Sequence, residues 1–323
     1  MDRVLLNKLR IKQSLPLEAK IELTKRSIRT CVEYWGEENV YISYSGGKDS
    51  IVTTHIVRSM YPDIPLVFCD TGLEFPELRD FATRQENITF IYPSMSFLEV
   101  IKRYGYPITT KENAVKLYKL RENNLKPEYR NYLLRGDERG KYGTLPNKYH
   151  KLIDADYKIG AGCCAVMKKR PLHYYERVTG KVPITGETTE ESRSREQAYL
   201  KHGCNAFQRK TGFKCTPIAF WTEQDVLEYI YTNNIPIPSV YGKILWEDGK
   251  YYTTGEKRTG CVYCCFGADK KDENGETRFV RLKRTHPKLY SYCINGGRYQ
   301  EGKWVPHKGL GLAHILNELE IDY

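Results

Sequence analysis

The stretch that decides the fold is "YISYSGGKDSIVTTH", residues 41–55, in which a strand pattern changes abruptly into a helix pattern. The apolar residues up to Tyr44 indicate a buried strand, and Ile51, Val52 and His55 have the spacing of one helical face. Glycines between them let the backbone turn sharply, and the helix that follows directs free N–H groups and its positive dipole end at the same point. The pattern predicts an anion-binding loop. The alternative is a tight strand–helix corner with a solvated lysine.

The loop itself supplies the predicted phosphate ligands. Its spacing does not match the G-x-x-x-x-G-K-[ST] pattern of P-loop proteins, so a different type of phosphate cradle is expected. Lys48 would neutralise phosphate charge, and Asp49 would position Mg²⁺ or cap the helix. The predicted ligands are Ser45, Gly46, Gly47, Lys48, Asp49 and Ser50.

The composition favours a soluble protein with an anionic partner. The 323 residues are 40% hydrophobic, with a mean hydropathy of −0.60, and no apolar stretch approaches the roughly 20 residues that span a membrane. The N-terminus lacks the apolar core of a signal peptide, so a cytoplasmic location is expected. Fifty-one basic and 40 acidic residues give a net charge of +11, which suggests a nucleotide or nucleic-acid partner. Ordinary variation in a lysine-rich chain is the alternative.

Short apolar segments alternate with helical patterns along most of the chain, which predicts βαβ units and a parallel sheet. The fold class is therefore α/β, a doubly wound and mainly parallel sheet, with ligands at the carboxyl ends of the strands. Residues 1–37 form an N-terminal helical segment. Residues 38–240 form the α/β domain, with a helical insertion at about 102–160. Residues 241–323 are loop-rich and contain cysteines. The predicted strands are 39–44, "PLVFCD" (65–70), "ITFIY" (88–92), "KVPITGE" (181–187) and "FKCTPIAF" (213–220).

Four stretches in order resemble one family. "SYSGGKDS" is similar to the PP-loop of ATP pyrophosphatases. "FCDTGLEFPE", "ITGETTEESRSR" and "TPIAFWTEQDVLEYIYTNNIP" resemble the following segments of the phosphoadenosine phosphosulfate (PAPS) reductase-like branch. The resemblance covers residues 38–240 and implies an adenine nucleotide alpha hydrolase-like fold that binds ATP, or a related adenine nucleotide, with Mg²⁺.

The resemblance also implies further nucleotide contacts. Adenine is expected near the end of the second strand, where a cap of the next helix by Asp70 and Thr71 is the alternative. An opposite wall is expected from the segment after Gly186, where a solvated helix face with Glu–Arg pairs is the alternative. The adenine-side residues are Phe68, Cys69, Asp70, Thr71 and Gly72, and those of the wall are Gly186, Glu191, Ser192, Arg193 and Arg195. Lys48, Asp49 and Arg193 are the expected catalytic residues.

"GCCAVMKKRPL" and "GCVYCCFG" resemble the cysteine segments of the iron–sulfur-binding members of that branch, which hold a 4Fe-4S cluster. The implied ligands are Cys163, Cys164, Cys261 and Cys264, since such clusters take four thiolates. A zinc site and ordinary buried thiols are the alternatives. Cys265 is expected to be a packing thiol or a backup ligand.

The chain departs from the iron–sulfur reductases at its C-terminus, "HILNELEIDY", which lacks their Glu-Cys-Gly nucleophile. The first functional hypothesis is therefore an ATP-dependent, pyrophosphate-releasing sulfur-transfer enzyme that uses a 4Fe-4S cluster and acts on an acceptor such as nucleic acid. A sulfonucleotide reductase that uses Cys293 or a partner thiol is the second, and a non-catalytic nucleotide-binding subunit of a larger complex is the third.

A sulfur-donor protein is a candidate partner, and no association with a membrane is expected. The oligomeric state is open, and a homodimer is compatible with the sequence. The sequence does not reveal the acceptor or the sulfur donor.

Overall fold

The computed structural model describes residues 3–122, 124–138, 140, 143–207 and 213–323. The chain forms two compact units, each built from separate segments. The first unit consists of Met1–Asp70, Glu74–Tyr92 and Pro171–Gly260, and the second of Thr71–Leu73, Pro93–Arg170 and Cys261–Tyr323. The predicted insertion and the four predicted cluster cysteines therefore lie in the same unit, whereas residues 241–260 of the predicted C-terminal region belong to the first unit. The insertion extends over residues 123, 139, 141 and 142, which lie outside the described ranges.

The helices are mostly short. In chain order they are α1 (Arg3–Gln13), α2 (Leu17–Trp35), α3 (Lys48–Met60), α4 (Pro76–Thr83), α5 (Phe97–Tyr104), α6 (Lys111–Leu120), α7 (Pro127–Arg135), α8 (Arg170–Thr179), α9 (Arg193–His202), α10 (Glu223–Thr232), α11 (Arg278–Thr285), α12 (Pro287–Ile294) and α13 (Leu312–Glu318). Within the described ranges, none of them combines the length and the apolar character that crossing a bilayer requires.

The first unit contains a six-stranded sheet. Its strands are β1 (Val40–Tyr44), β2 (Leu66–Cys69), β3 (Ile88–Ile91), β5 (Val182–Thr185), β6 (Asn205–Ala206) and β7 (Lys214–Cys215), in the spatial order β3-β2-β1-β5-β7-β6. All neighbours are parallel except β6 and β7. The mainly parallel α/β sheet that the sequence predicted is confirmed.

The register of the sheet is set around β1. Ile42 lies opposite Leu66 of β2 and Ile184 of β5, and all three side chains are fully buried. Strands buried on both faces carry continuous apolar runs, which explains why these segments lack a polar alternation. The carboxyl ends of β1, β2 and β5 therefore meet at one edge of the sheet.

The long helix α2 packs against this core through one apolar stripe. Leu17, Thr24, Ile28 and other residues at three- and four-residue intervals are buried. Thr24 accepts a hydrogen bond of 2.9 Å from the indole N–H of the fully buried Trp221. α2 thus ties the N-terminal segment to the chain just before α10.

The second unit combines α5, α6, α7, α11, α12 and α13 with two small strand pairs. β4 (Ile108–Thr109) pairs in parallel with β10 (Cys265–Phe266), which joins the insertion to the C-terminal segment. β11 (Arg298–Gln300) and β12 (Lys303–Val305) form a hairpin. A further hairpin, of β8 (Ile244–Glu247) and β9 (Lys250–Thr253), belongs to the first unit.

Two sequence expectations are corrected. The strand predicted over 213–220 is only Lys214–Cys215, because Thr216 to Ala219 form a turn closed by a 3.1 Å hydrogen bond from Ala219 N to Thr216 O. The region over 241–323, predicted to be loop-rich, also contains α11, α12 and two hairpins. The two helices are eight residues long and separated by a single residue, too short to show a clear periodicity.

The buried ion pair between Lys20 and Asp225 generates a stability prediction. The Lys20 Nζ lies 2.6 Å from Asp225, and the two side chains are 2% and 11% exposed. Lys20→Met would leave the carboxylate buried without a counter-charge, so we expect the free energy of unfolding to fall by about 3–5 kcal/mol in urea titrations. The matched control is Lys25→Met on the same helix, because Lys25 pairs with Glu22 at the surface. That variant should stay within about 0.5 kcal/mol of wild type, and equal losses would contradict the prediction.

Candidate functional site

The glycine loop turns between β1 and α3 in the predicted manner. Gly46 has a φ of +71°, a left-handed conformation that favours glycine, and Gly47 precedes the first residue of the helix. The Ser50 hydroxyl donates to Gly47 O at 2.9 Å, and the Ser45 hydroxyl donates to the Ser50 oxygen at 3.1 Å. These hydrogen bonds of the two serines stabilise the loop, and the N-terminus of α3 follows directly after it.

Lys48 is held in an unusual environment for a lysine. Its side chain is 7% exposed, and its Nζ lies 3.2 Å from Glu223 and 5.5 Å from the ring centre of Tyr241. Tyr241 in turn bonds Thr259 through its hydroxyl at 2.5 Å. A lysine head group kept at a helix N-terminus by one half-exposed carboxylate can exchange that partner for a phosphate.

Asp49 is surrounded by positive charge. Burial raises the pKa of its carboxyl to about 6, against the opposing influence of Lys48, Arg195 and Arg258, while Glu223 raises it further. Three cations therefore act electrostatically on one carboxylate at the carboxyl end of β1. Such a set suits a polyphosphate, with the carboxylate available for a divalent cation.

The loop after β5 reaches this point because Gly186 has no side chain. A Cβ on Gly186 would lie 2.5 Å from the carbonyl oxygen of Asp49 and 2.8 Å from the Cα of Ser50, closer than real Cβ contacts. The close backbone approach brings the segment after Gly186 alongside the first turn of α3. Gly186 is therefore required by the packing of the predicted site.

The structure distinguishes between the two predicted arginines. Arg195 lies near Asp49, forms an ion pair with Glu191 and has its Nε 3.7 Å from Glu187. Ser192 caps α9 by accepting from the backbone N–H of Arg195 at 3.3 Å. Arg193, the residue predicted to be catalytic, is exposed at the start of α9. The structure thus brings Arg195, rather than Arg193, to the loop.

On the adenine side, Phe68 is buried within β2, and Asp70 follows the strand. Asp70 is 5% exposed, and its carboxylate accepts from Nε and Nη2 of Arg79 at 3.0 and 2.6 Å. Its backbone N–H donates to Ile91 O at 2.9 Å. Asp70 therefore holds α4 to the sheet edge. Thr71 and Gly72, the other predicted adenine contacts, belong to the second unit.

The four predicted cluster cysteines come together in the second unit. The Cys163 thiol donates to the sulfur of Cys164 at 4.0 Å, at the start of a helical run that continues through a π-helical turn over Ala165–Lys169. That hydrogen bond, burial and the charges of Cys164, Cys264 and Cys261 raise the pKa of Cys163. The same hydrogen bond lowers the pKa of Cys164, and nearby lysines, among them Lys111, add to this effect. The quartet thus favours at least one thiolate.

Arg278 holds the Cys-x-x-Cys segment in shape. Its Nη1 donates to Cys264 O and its Nη2 to Cys261 O, both at 2.9 Å. Burial raises the pKa of the Cys264 thiol, and Arg278 opposes this shift. The arginine therefore both fixes the loop and provides a positive charge beside the thiols.

Four thiolates are the ligand set of a 4Fe-4S cluster and also of a structural zinc ion. Among the residues that the structure describes, no three Cys, His, Asp or Glu side chains are arranged as ligands around one ion.

Two further thiols of the second unit lie deeper. Cys265 and Cys293 are 1% and 0% exposed, and burial raises the pKa of both thiols. The burial of Cys265 fits a packing thiol, which is the first of the two roles expected for this residue from the sequence. Cys293 is enclosed, and the raised pKa of its thiol does not suit a nucleophile.

Comparison with known proteins places the chain in a family. The sequence profile of the phosphoadenosine phosphosulfate reductase domain matches residues 39–124 and 108–265, well over half of the chain. The chain belongs to this family. The predicted resemblance to PAPS reductase-like proteins is confirmed.

Individual relatives of this PAPS reductase family member are distant. An uncharacterized protein of Methanocaldococcus jannaschii is 26% identical over 285 residues, 85% of this chain and 52% of that protein, so the chain spans about half the length of this relative. An adenosine 5'-phosphosulfate reductase of Lysinibacillus sphaericus is 25% identical over 264 residues, 81% of this chain and 88% of that one. A phosphoadenosine 5'-phosphosulfate reductase of Xanthomonas euvesicatoria is 27% identical over 258 residues, 77% and 80% of the two chains. The solved structure of the Candida auris PAPS reductase in complex with phosphate aligns with a TM-score of 0.38 and 17% identity, over 70% of this chain and 91% of that one.

Sequence reasoning missed several residues that this PAPS reductase family member brings to the two sites. Glu223, Tyr241 and Arg258 surround Lys48 and Asp49, and Arg278 clamps the Cys-x-x-Cys loop. Glu223 is the first residue of α10, a helix that begins with a capping box formed by Thr222 and Asp225. The other three lie in segments without periodicity, so no local signal could have identified them.

The close approach at Gly186 generates a prediction. Gly186→Ala should push the segment after β5 away from α3, because the added methyl group would meet backbone atoms that cannot move aside. We expect thermal or urea unfolding to show a loss of about 1–3 kcal/mol, typical of overpacked sites. Gly260→Ala is the matched control, since a Cβ there meets open space. If both variants were equally stable, the packing argument would be wrong.

Proposed function

We propose that this PAPS reductase family member is an ATP-dependent, pyrophosphate-releasing sulfur-transfer enzyme. The observation that supports this proposal best is the convergence of Lys48, Arg195 and Arg258 on Asp49, at the N-terminus of a helix. Three cations suit the negative charge of a triphosphate, and they suit even better the additional charge that develops when pyrophosphate departs.

In the first step, an acceptor oxygen attacks the α-phosphorus of ATP. The bond from the α-phosphorus to its bridging oxygen breaks, and pyrophosphate leaves with the electron pair. Lys48 and Arg195 bind the departing phosphates, and Arg258 balances the remaining charge. Asp49 would hold Mg²⁺, which supplies charge neutralisation between phosphate oxygens.

In the second step, a sulfide-level donor attacks the carbon that carries the adenylated oxygen. The carbon–oxygen bond breaks, AMP leaves, and the acceptor has exchanged oxygen for sulfur with no net oxidation or reduction. The donor comes from outside this chain. The protein's part is to bind the nucleotide and to exclude water from the activated acceptor.

Cys163, Cys164, Cys261 and Cys264 would hold a 4Fe-4S cluster. With four protein thiolates as ligands, such a cluster supplies a structural and electrostatic element rather than an open iron site. Arg278 and the lysines near Cys164 offset the negative charge of these thiolates.

A second candidate function is a sulfonucleotide reductase, and the two reductases among the relatives favour it. That reaction needs a nucleophilic thiol, and the enclosed position of Cys293 argues against this residue. A reductase reaction would therefore depend on a thiol of another molecule. The two functions differ in product: pyrophosphate from ATP in the first, and sulfite from a sulfonucleotide in the second.

The nucleotide site can be tested by calorimetry with ATP and Mg²⁺. Lys48→Ala should raise the Kd at least about tenfold, because a charge-assisted contact contributes about 1.5–3 kcal/mol. Arg195→Ala should weaken binding more than Arg193→Ala, since only Arg195 lies near Asp49. ATP should bind in preference to adenosine phosphosulfates, and incubation with single-stranded nucleic acid as the acceptor should release pyrophosphate. Binding of the sulfonucleotides alone, with sulfite as product, would replace the proposal by the reductase.

The thiol quartet can be tested by metal analysis of protein purified without oxygen. We expect a brown protein with about four irons per chain, the stoichiometry of a 4Fe-4S cluster. Cys164→Ala and Cys264→Ala should each lower the iron content and the visible absorption. Cys204→Ala, which removes a thiol of the first unit, should leave both unchanged. A colourless protein that holds one zinc ion would contradict the cluster.

A further inference from the structure

The net positive charge of the chain is confined to one of its two units. The first unit contains 24 Lys and Arg and 24 Asp and Glu, so its net charge is zero. The second unit contains 27 Lys and Arg and 16 Asp and Glu, which accounts for the whole +11 of the protein. A general lysine richness would raise the charge of both units, so the asymmetry points to an anionic partner of the second unit.

Most of this charge lies in a short part of the second unit. Residues 93–170 contain 17 Lys and Arg and 8 Asp and Glu, a net charge of +9. Lys111, Lys168 and Lys169 act electrostatically on Cys164 of the cysteine quartet, whose pKa they lower. Fourteen basic residues of the segment remain after these three are set aside, so the thiols alone do not account for the charge.

Helices α6 and α7 carry exposed tyrosines within this basic segment. Tyr118, Tyr129 and Tyr132 are 53%, 37% and 38% exposed. The rings of Tyr129 and Tyr132 stack with centres 6.2 Å apart and planes 14° apart. Tyr132 also packs over Gly143, where a Cβ would come within 2.3 Å of its ring. The pair is therefore pre-ordered as a stacking platform, rather than free to rotate.

Cations accompany these rings. The Nζ of Lys119 lies 5.1 Å from the ring centre of Tyr129 and donates to its hydroxyl at 2.8 Å, which links α6 to α7. Lys126 and Arg135, at the two ends of α7, are exposed. The opposite sides of the helices hold the apolar residues Leu117 and Leu133, which are buried. The aromatic and basic side chains thus share the face that the core does not use.

We propose that this face, defined by Tyr118, Tyr129, Tyr132, Lys126 and Arg135, binds single-stranded nucleic acid. Aromatic rings receive unpaired bases of any sequence, and nearby cations hold the phosphate backbone. An acidic protein would use the cations but would have little use for a pre-ordered tyrosine stack. This proposal names the class of acceptor in the proposed sulfur transfer, and its chemistry rests on that function. The binding of the single strand itself does not require ATP.

Fluorescence anisotropy with end-labelled oligonucleotides of about twelve nucleotides tests this surface. We expect the full-length protein to bind oligo(dT) or oligo(U) more tightly than a duplex, with an affinity that falls between about 50 and 200 mM salt. The triple variant Tyr118→Ala, Tyr129→Ala, Tyr132→Ala should weaken binding at least about tenfold, because each base–aromatic stack is a substantial contribution. Lys126→Glu with Arg135→Glu should weaken binding and reduce its salt dependence.

The matched control is Tyr174→Ala. Tyr174 is 61% exposed and has Arg177 5.4 Å from its ring centre, but it lies in the electrically neutral first unit. This variant should bind like wild type, and circular dichroism melting shows whether each variant is folded. The proposal is overturned if wild type binds no oligonucleotide at low salt, if the folded triple variant binds like wild type, or if duplex or polyglutamate binds as tightly as the single strands. If ATP binding persists in any of these cases, the proposed function survives and the surface alone is wrong.

Discussion

The parallel pairing of β1 with β2 on one side and β5 on the other is the constraint on which the first unit depends. Because the three strands run in one direction, the loops that follow them emerge at one edge of the sheet. The glycine loop after β1, Asp70 after β2 and Gly186 after β5 all lie at this edge. One strand in the opposite direction would remove its loop from the group.

The same edge concentrates charge that folding alone would not favour. Lys48 is almost fully buried, and Asp49 has a carboxyl whose ionised form is destabilised by burial. Elsewhere in the first unit, the buried pair of Lys20 and Asp225 is closed by two contacts of 2.6 Å. Lys48 has a longer contact with a half-exposed glutamate instead. An ion pair that is looser and more accessible than its structural counterpart is what a ligand-binding lysine needs.

Local signals explain what the sequence could predict. The glycine loop combines residues that only a tight turn before a helix requires, and α10 begins with the capping box formed by Thr222 and Asp225. The three buried strands β1, β2 and β5 were recognised from continuous apolar runs. In each case the information lies within a few consecutive residues, and so does the physical cause.

Long-range contacts explain what the sequence could not predict. Arg258 approaches Asp49 from a segment about 200 residues away, and Arg278 reaches two carbonyl oxygens through side-chain geometry alone. The choice between Arg193 and Arg195 depends on which side of α9 faces the loop, which a short polar helix does not reveal. The short length of β7, within the strand predicted over 213–220, also depends on its pairing with β5 rather than on its own sequence.

The path of the chain through the two units constrains how the protein can be assembled. The backbone passes from one unit to the other five times, and the second unit is completed only by its last 63 residues, Cys261–Tyr323. Cys163 and Cys164 leave the ribosome roughly a hundred residues before Cys261 and Cys264, while synthesis proceeds at about 5–20 residues per second. During that interval the first thiol pair has no partners from its own chain, although the sheet of the first unit has most of its strands. The sheet can therefore begin to form during translation, whereas the thiol quartet is complete only after Cys264 has been synthesised. Any metal loading follows that point, and the first thiol pair is exposed to oxidation in the meantime.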